Sequence, residues 1–251
     1  MIPKIIHHCW FGSNAKSETT LRCIESWKLH CPDFTFMEWT EQNTAAYQNR
    51  FYKQAYRKKQ FAFVADCVRV QALAEHGGIY LDTDMLLLKP LDSILALDFF
   101  TGNEVKDRAA YGLFGGRVGH RFFKTMSDFY NDNYFNLYSL PVITHTFKDL
   151  INDQNLQNNE RIFTPEYFYA LSYENKEDDY RHHITTNSVA VHLWDHSWNQ
   201  ADEKTVWWYL TNLAKVKWDF LIYGYPWSYY KRYTRGFMRQ LMHLLFKKGR
   251  S

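Results

Sequence analysis

Residues 61–90 read FAFVADCVRVQALAEHGGIYLDTDMLLLKP, and the fold turns on how this stretch is read. Apolar residues recur at helical spacing up to a glycine pair, which predicts a partly buried helix with Gly77 or Gly78 as its C-cap. The run that follows, IYLDTDMLLL, predicts a strand ended by Lys89 and Pro90. Asp82 and Asp84 lie one residue apart inside it. Alternate strand side chains share a side, so both carboxylates are expected to point one way and Thr83 the other. Two unpaired carboxylates there repel each other and lose hydration, and a divalent cation relieves both costs. Mn²⁺ or Mg²⁺ takes carboxylate oxygens and keeps positions open for phosphate. A lone D-x-D is commonplace, and a strand end with its aspartates in solvent is the competing reading.

Working outward, IPKIIHHCWF (2–11) predicts a first strand ending near Trp10, with Gly12, Ser13 and Asn14 in the turn. ETTLRCIESWKLH (18–30) predicts a helix with Leu21, Ile24 and Leu29 on its apolar stripe, stopped by Pro32. FTFMEW (34–39) predicts a second strand, and residues 41–59 a polar, mostly helical segment. Alternating strands and helices predict an open α/β sheet that binds ligands at the carboxyl ends of its strands, which is where the two aspartates fall. Beyond residue 100 the signal weakens. YGLFGG (111–116) predicts a strand, HRFFKTMSDFYNDN (120–133) a helix, and 147–160 a polar surface stretch. SVAVHLWDHSW (188–198) begins as an alternating strand and ends in a His, Trp and Asp cluster. Asp66 and Arg69, three apart on the predicted helix, share a face. They form either a surface ion pair or a unit in which Arg69 neutralises a phosphate while Asp66 meets a sugar hydroxyl or orients the arginine.

The chain has 251 residues, 46% apolar and 23% charged, which describes one globular main domain. Aromatic content is 18%, with nine Trp and eighteen Tyr, pointing either to a large aromatic core or to recognition of rings and interfaces. Cys9, Cys23, Cys31 and Cys67 lack the spacing of a zinc site. The start MIPKIIHHCWFG is unlike an export signal and there is no apolar run of about 18 residues, so the expectation is a cytoplasmic protein with free thiols. The net charge of +3 is uneven. Residues 220–251 hold seven Lys or Arg and no acid, whereas the first 219 residues carry 23 basic against 27 acidic groups. We therefore expect a main domain over 1–225 and a basic aromatic tail over 226–251. The tail, WSYYKRYTRGFMRQLMHLLFKKGRS from Trp227, predicts a helix from about Thr234 with Phe237, Met238, Leu241, Leu244 and Leu245 on its apolar side. Such a helix either lies on an anionic inner-leaflet surface or packs back on the domain. Basic charge confined to the tail, with no recognised module upstream, speaks against nucleic-acid binding.

Four stretches carry a resemblance: IPKIIHHCWFG (2–12), CIESWKLHCPDF (23–34), FAFVADCVRVQALAEHGGIYLDTDMLLLKPLD (61–92) and VHLWDHSW (191–198). Together they resemble the DXD-containing sugar transferases of glycosyltransferase family 32. That group includes yeast initiating mannosyltransferases and bacterial capsule and surface-polysaccharide enzymes, and the glucosylating domain of large clostridial toxins is more distantly similar. The resemblance implies a GT-A type fold, a single Rossmann-like open mixed sheet flanked by helices. It also implies a nucleotide diphosphate sugar donor, UDP favoured over GDP, a Mn²⁺ or Mg²⁺ cofactor, and retention of anomeric configuration. By the same resemblance Trp10 stacks on the base, Tyr80 lies near the ribose, and Asp66 and Arg69 meet donor sugar or phosphate. Asp82 faces the ribose and sugar, and Asp84 binds the metal directly. His192 is the candidate that completes the metal shell, with His196 its rival, while Ser197 and Trp198 would close over the diphosphate. Residues 104–117 would face the acceptor, with Gly115 and Gly116 permitting close backbone approach. The implied reaction transfers a hexose or N-acetylhexosamine to a hydroxyl of a lipid-linked surface glycan. The alternatives are a nucleotide-sugar phosphohydrolase and a non-catalytic carbohydrate- or membrane-binding protein.

Overall fold

The computed structural model describes residues 1–136 and 140–195, with scattered positions between 207 and 242. The chain divides into two compact units, one of Met1–Asn133 with Val142–Trp198, the other of Tyr134–Pro141 with Asn199–Ser251.

In the first unit, β1 (Ile5–Cys9) is followed by α1 (Glu18–His30), β2 (Thr35–Trp39), α2 (Arg50–Arg57) and α3 (Phe61–His76). Next come β3 (Gly78–Leu81), β4 (Met85–Leu87), the hairpin β5 (Phe99–Val105) and β6 (Arg108–Gly116), and α4 (Arg121–Asp132). The short α5 (Ile143–Thr146), β7 (Glu160–Phe163), α6 (Pro165–Phe168) and β8 (Ala190–His192) complete it. Six strands form one sheet in the order β2-β1-β3-β6-β5-β7, and β4 pairs with β8 apart from it. The β1 strand runs parallel to β2 and β3, β6 runs antiparallel to its neighbours, and β5 is parallel to β7. This is an open mixed sheet flanked by helices, the GT-A, Rossmann-like architecture.

Local chemistry accounts for the elements. Ser17 caps α1 by accepting from the Thr20 amide at 3.0 Å. The buried stripe of α1 is Thr20, Cys23 and Trp27; of the expected Leu21, Ile24 and Leu29 only Ile24 packs against the core, and Leu21 and Leu29 are exposed. Trp27 decides this rotation, because its buried indole N–H needs an acceptor and donates to the Met85 carbonyl at 2.6 Å. The expected helix over 41–59 is confined to α2, capped by Asn49, after one turn of 3₁₀ helix at Ala45–Tyr47. Two histidines fit inside β1 because each finds partners. Trp39 donates to His7 Nδ1 at 3.1 Å, so Nε2 carries the proton and donates to the Gly77 carbonyl at 2.8 Å. Burial holds the His7 imidazole neutral, down to about 4. That bond ties β1 to the C-cap of α3, where Gly77 (φ 63°) and Gly78 (φ 97°) turn the chain into β3.

The single strand expected from Ile79 to Leu88 is two strands in two sheets, broken at the aspartates. After β3 the Asp82 amide donates to the Gly112 carbonyl at 2.7 Å, and the Met85 amide turns back to the Asp82 carbonyl at 2.9 Å. The chain then leaves the large sheet to pair with β8, which lies far along the sequence. The expected strand at 111–116 is the end of the longer β6, and the helix at 120–133 is α4 with His120 at its cap. Trp27, Ile79, Leu81, Met85, Phe100 and Phe168 lie in the main core, and Tyr80, Phe114, Phe123 and Tyr130 are also fully buried, so much of the aromatic excess is core.

Gly115 and Gly116 do allow close approach, but to the protein's own backbone. A Cβ on Gly115 would stand 2.5 Å from the Gly78 carbonyl oxygen and 2.9 Å from Phe100. Gly115→Ala is therefore expected to force β3 and β6 apart and cost about 1–3 kcal/mol, read as a lowered Tm in thermal unfolding. No helix among the described residues is long and apolar enough to cross a membrane. In the second unit the described positions 207–242 are helical, with Phe237 buried but Met238 exposed, so these two expected stripe residues differ; Leu241, Leu244 and Leu245 lie outside the described residues.

Candidate metal and nucleotide-sugar site

At the carboxyl ends of β1 and β3 the structure gathers charge. His7 pairs with Tyr80 in the parallel ladder, which brings Cys9 level with Asp82 and leaves Trp10 at the rim. The Trp10 indole donates to the Asn14 carbonyl at 2.9 Å, and the Lys16 ammonium lies 5.6 Å from its ring centre.

The turn at 82–84 brings both carboxylates together, though not by strand alternation. Asp84 directly precedes Met85, which pairs with His192 across β4 and β8. The Leu193 amide donates to the Asp84 carbonyl at 2.9 Å, and His192 Nε2 lies 3.0 Å from Asp84 Oδ1. Ligand atoms of Asp82, Asp84 and His192 all fall within 4.8 Å of one another. Burial alone would lower the His192 pKa, but the charge and hydrogen bond of Asp84 outweigh it, and Asp82 and Glu104 add to a net upward shift. Its Nδ1 is buried with no hydrogen-bond partner among the described residues.

Behind Asp82 stands Arg69. One guanidinium nitrogen sits 3.1 Å from both Asp66 Oδ1 and Asp82 Oδ1; another donates to the Tyr111 carbonyl at 2.9 Å and Nε to the Ala65 carbonyl at 3.4 Å. Arg69 also lies over the Tyr80 ring at 4.3 Å, and the Tyr80 hydroxyl donates to Asp82 Oδ1 at 3.2 Å. The pair Asp66 and Arg69 is thus a buried unit in the site rather than a surface ion pair. Two carboxylates, Asp66 and Asp82, share the one guanidinium, and Asp84 faces His192 instead.

Burial raises the Asp66 pKa to about 7; Arg69 opposes the shift but is shared with Asp82, whose charge adds to it. A folded-state pKa above the unfolded one stabilises the fold at low pH. The contribution is complete below about 4 and disappears as pH climbs through about 7. Urea unfolding between pH 5 and 8 should therefore show a loss of stability on raising pH that Asp66→Asn flattens. An equal slope in both proteins would refute this assignment.

Three neighbours of the site were given no role from the sequence, although Gly112 and Trp194 lie inside stretches that it singled out. Tyr169 accepts from the Gly112 and Leu113 amides at 3.1 Å each and packs edge-on against His192. A Cβ at Gly112 would lie 3.0 Å from Asp82 Oδ2 and 3.2 Å from the Tyr169 hydroxyl, so this glycine makes room for the acid. Trp194, in the left-handed region at φ 56°, packs tilted against His192 with ring centroids 4.0 Å apart and donates to the Leu171 carbonyl at 2.9 Å. His196, Ser197 and Trp198 lie outside the described residues. Cys9, Cys23, Cys31 and Cys67 are buried as free thiols.

The donor set of two carboxylates and an imidazole suits a divalent cation of the Mn²⁺ type. Asp82, Asp84 and His192 could therefore coordinate such an ion.

Comparison with known proteins agrees. A family model described as a glycosyltransferase sugar-binding region containing a DXD motif matches residues 17–101. An uncharacterized glycosyltransferase of Acanthamoeba polyphaga mimivirus is 29% identical over 218 residues, covering 77% of this chain and 86% of that protein. A mannosyl phosphorylinositol ceramide synthase of Saccharomyces cerevisiae is 27% identical over 130 residues, 49% of this chain but only 34% of the yeast protein. Among solved structures, the PaToxG glycosyltransferase has a TM-score of 0.46 at 18% identity, covering 60% of this chain and 69% of that one. Over part of its length the chain is thus similar to glycosyltransferases that carry a DXD motif.

Proposed function

We propose that this glycosyltransferase moves a hexose or N-acetylhexosamine from a UDP-sugar, or a GDP-sugar, to a hydroxyl of a surface glycan with retention of configuration. The observation that carries the reading is the convergence of Asp82, Asp84 and His192 in front of the buried Arg69, at the carboxyl edge of β1 and β3. Trp10 at that edge would stack on the base and Tyr80 would lie near the ribose. Asp66 would meet the donor sugar. Arg69 has its nitrogens engaged by protein groups, so its part is a fixed positive charge that holds Asp82 in place. A divalent cation on Asp82, Asp84 and His192, Mn²⁺ or Mg²⁺, would supply Lewis-acid stabilisation to the departing diphosphate. These groups are set before the reaction starts and cost no reorganisation during it.

The resemblance brings no dedicated nucleophile, so we favour a front-face displacement. The anomeric carbon–phosphate oxygen bond breaks, the acceptor oxygen bonds the anomeric carbon on the same face, and the acceptor proton passes to the departing diphosphate. Trp198 would close over that diphosphate. The acceptor is proposed to be lipid-linked and the enzyme peripheral on the inner face of a membrane. Exposed Trp207, Trp218 and Leu221, with exposed Lys217, Lys231, Arg235 and Arg239, support that location. We keep 1–225 as the transferase domain and 226–251 as the basic tail.

The test is a panel of UDP- and GDP-sugars with Mn²⁺, scored for nucleotide diphosphate release and for the anomeric configuration of the product by NMR. Release from one donor with retained configuration is expected. Inverted product would refute the front-face route, and full-rate release without any acceptor would make the protein a phosphohydrolase.

A further inference from the structure

Helix α2 and the residues beside it carry chemistry that the aspartate cluster does not use. Between Glu41 and Asp66 the chain holds five basic residues, Arg50, Lys53, Arg57, Lys58 and Lys59, and no acid. All five are exposed, and Lys53, Arg57, Lys58 and Lys59 meet no carboxylate within ion-pair distance among the described residues. Lys53 and Arg57, four apart, share a face of the helix, where their like charges repel until an anion bridges them.

These two cations border a cleft of about 230 Å³, lined by Glu41, Gln48, Tyr52, Lys53, Tyr56 and Arg57. Its aromatic part is a parallel stack, the Tyr52 and Tyr56 ring centroids 5.9 Å apart and the planes 6° from each other, in which Tyr52 is buried and Tyr56 is 37% exposed. Its acid is fixed from the protein side. Glu41 Oε1 accepts from the Gly12 amide at 2.7 Å and from the Tyr56 hydroxyl at 3.1 Å, which holds the carboxylate in place and leaves Oε2 for a further donor. A cleft smaller than the roughly 300–1,000 Å³ of pockets for drug-sized ligands takes one ring with its substituents, not a nucleotide diphosphate sugar. An exposed aromatic ring, a fixed acceptor, a side-chain amide and two unpaired cations at one place suit a sugar that carries a phosphate.

We infer that this cleft binds a phosphorylated sugar at a second site, one that shares no residue with the aspartate cluster. Lys53 and Arg57 hold the phosphate, the ring lies against Tyr56, and Glu41 Oε2 and Gln48 meet its hydroxyls. The cations call for an anion, and the tyrosine and the carboxylate distinguish a sugar phosphate from a bare one. The assignment goes beyond the transferase reading and does not depend on it.

The experiment is isothermal titration calorimetry on the full chain in EDTA, which keeps cations off the aspartate cluster. Glucose 1-phosphate, glucose 6-phosphate and mannose 6-phosphate are the probes, with inorganic phosphate and glucose as their separate halves. At least one sugar phosphate is expected to bind tenfold or more tighter than either half. Lys53→Ala, Arg57→Ala and Tyr56→Ala should each weaken it tenfold or more in protein that circular dichroism shows to be folded. The double variant Lys58→Ala with Lys59→Ala, which removes more charge but outside the cleft, should bind as wild type does. Equal loss in that double variant would reduce the patch to non-specific charge attraction and overturn the site. So would sugar phosphates that bind no tighter than inorganic phosphate, variants of Lys53, Arg57 and Tyr56 that bind as wild type does, or a single-stranded oligonucleotide that binds tighter than every sugar phosphate. Phosphatidylcholine vesicles carrying polyprenyl phosphoglucose distinguish the source. Vesicle binding that glucose 1-phosphate competes away supports a lipid-borne sugar, and binding of the soluble probes alone supports a free sugar phosphate. Vesicle binding without any soluble probe bound would make α2 a membrane contact and overturn the cleft as a sugar site.

Discussion

Asp84→Ala is expected to lower nucleotide diphosphate release from the preferred donor about a thousandfold, with the fold retained. The carboxylate stands in a turn, half of its work is to face His192 at 3.0 Å, and its backbone rather than its side chain holds β8 through Leu193. Removing the side chain therefore strips the cation site without removing the strand pairing. Mn²⁺ binding, followed by electron paramagnetic resonance, should fall in the same variant. A variant that kept Mn²⁺ affinity and turnover within a few fold would remove Asp84 from the metal shell and with it the proposed role of the cluster.

Arg69→Ala is expected to be the most damaging substitution for stability among the site residues. It would leave Asp66 and Asp82 facing each other in a buried pocket without their shared counter-charge, a loss of about 3–5 kcal/mol. For a protein of this size that corresponds to a fall in Tm of roughly 10 °C. Because much of the cost is the unpaired Asp66 carboxylate, adding Asp66→Asn should restore part of the lost Tm, a coupling that a double-mutant cycle measures directly. Strict additivity of the two substitutions would show that the pair is not the energetic unit drawn here.

Much of the amino-terminal half was legible because its signals are local. The bounds of α1 follow from helical spacing and Pro32, and the end of α3 from its glycine pair, as found. The rotation of α1 was not legible, because the apolar stripe starting at Leu21 competes with one that contains Trp27, and only the Met85 carbonyl in space favours the latter. The hairpin strand β5 and the edge strand β7 were missed, since glycine, asparagine and glutamate in FFTGNEV and the short ERIF segment give no clean alternation. Tyr169 was missed because a residue that holds a site by packing needs no motif, and Trp194 lay inside the VHLWDHSW stretch without a role of its own.

The sequence by itself determined that an open α/β sheet places Asp82 and Asp84 at its ligand-binding edge, because strand and helix periodicities and glycine turns are written in neighbouring residues. It named His192 through resemblance but could not distinguish it from His196. Tertiary structure decided that the aspartates converge through a turn and not a strand, and it brings His192 within reach of them, while His196 lies outside the described residues. It also made Asp66 and Arg69 a buried pair behind Asp82, because β4 finds its partner in β8 about a hundred residues later and Arg69 finds its acceptors on three separate segments. Such pairings depend on which strands meet, and local propensity does not encode them.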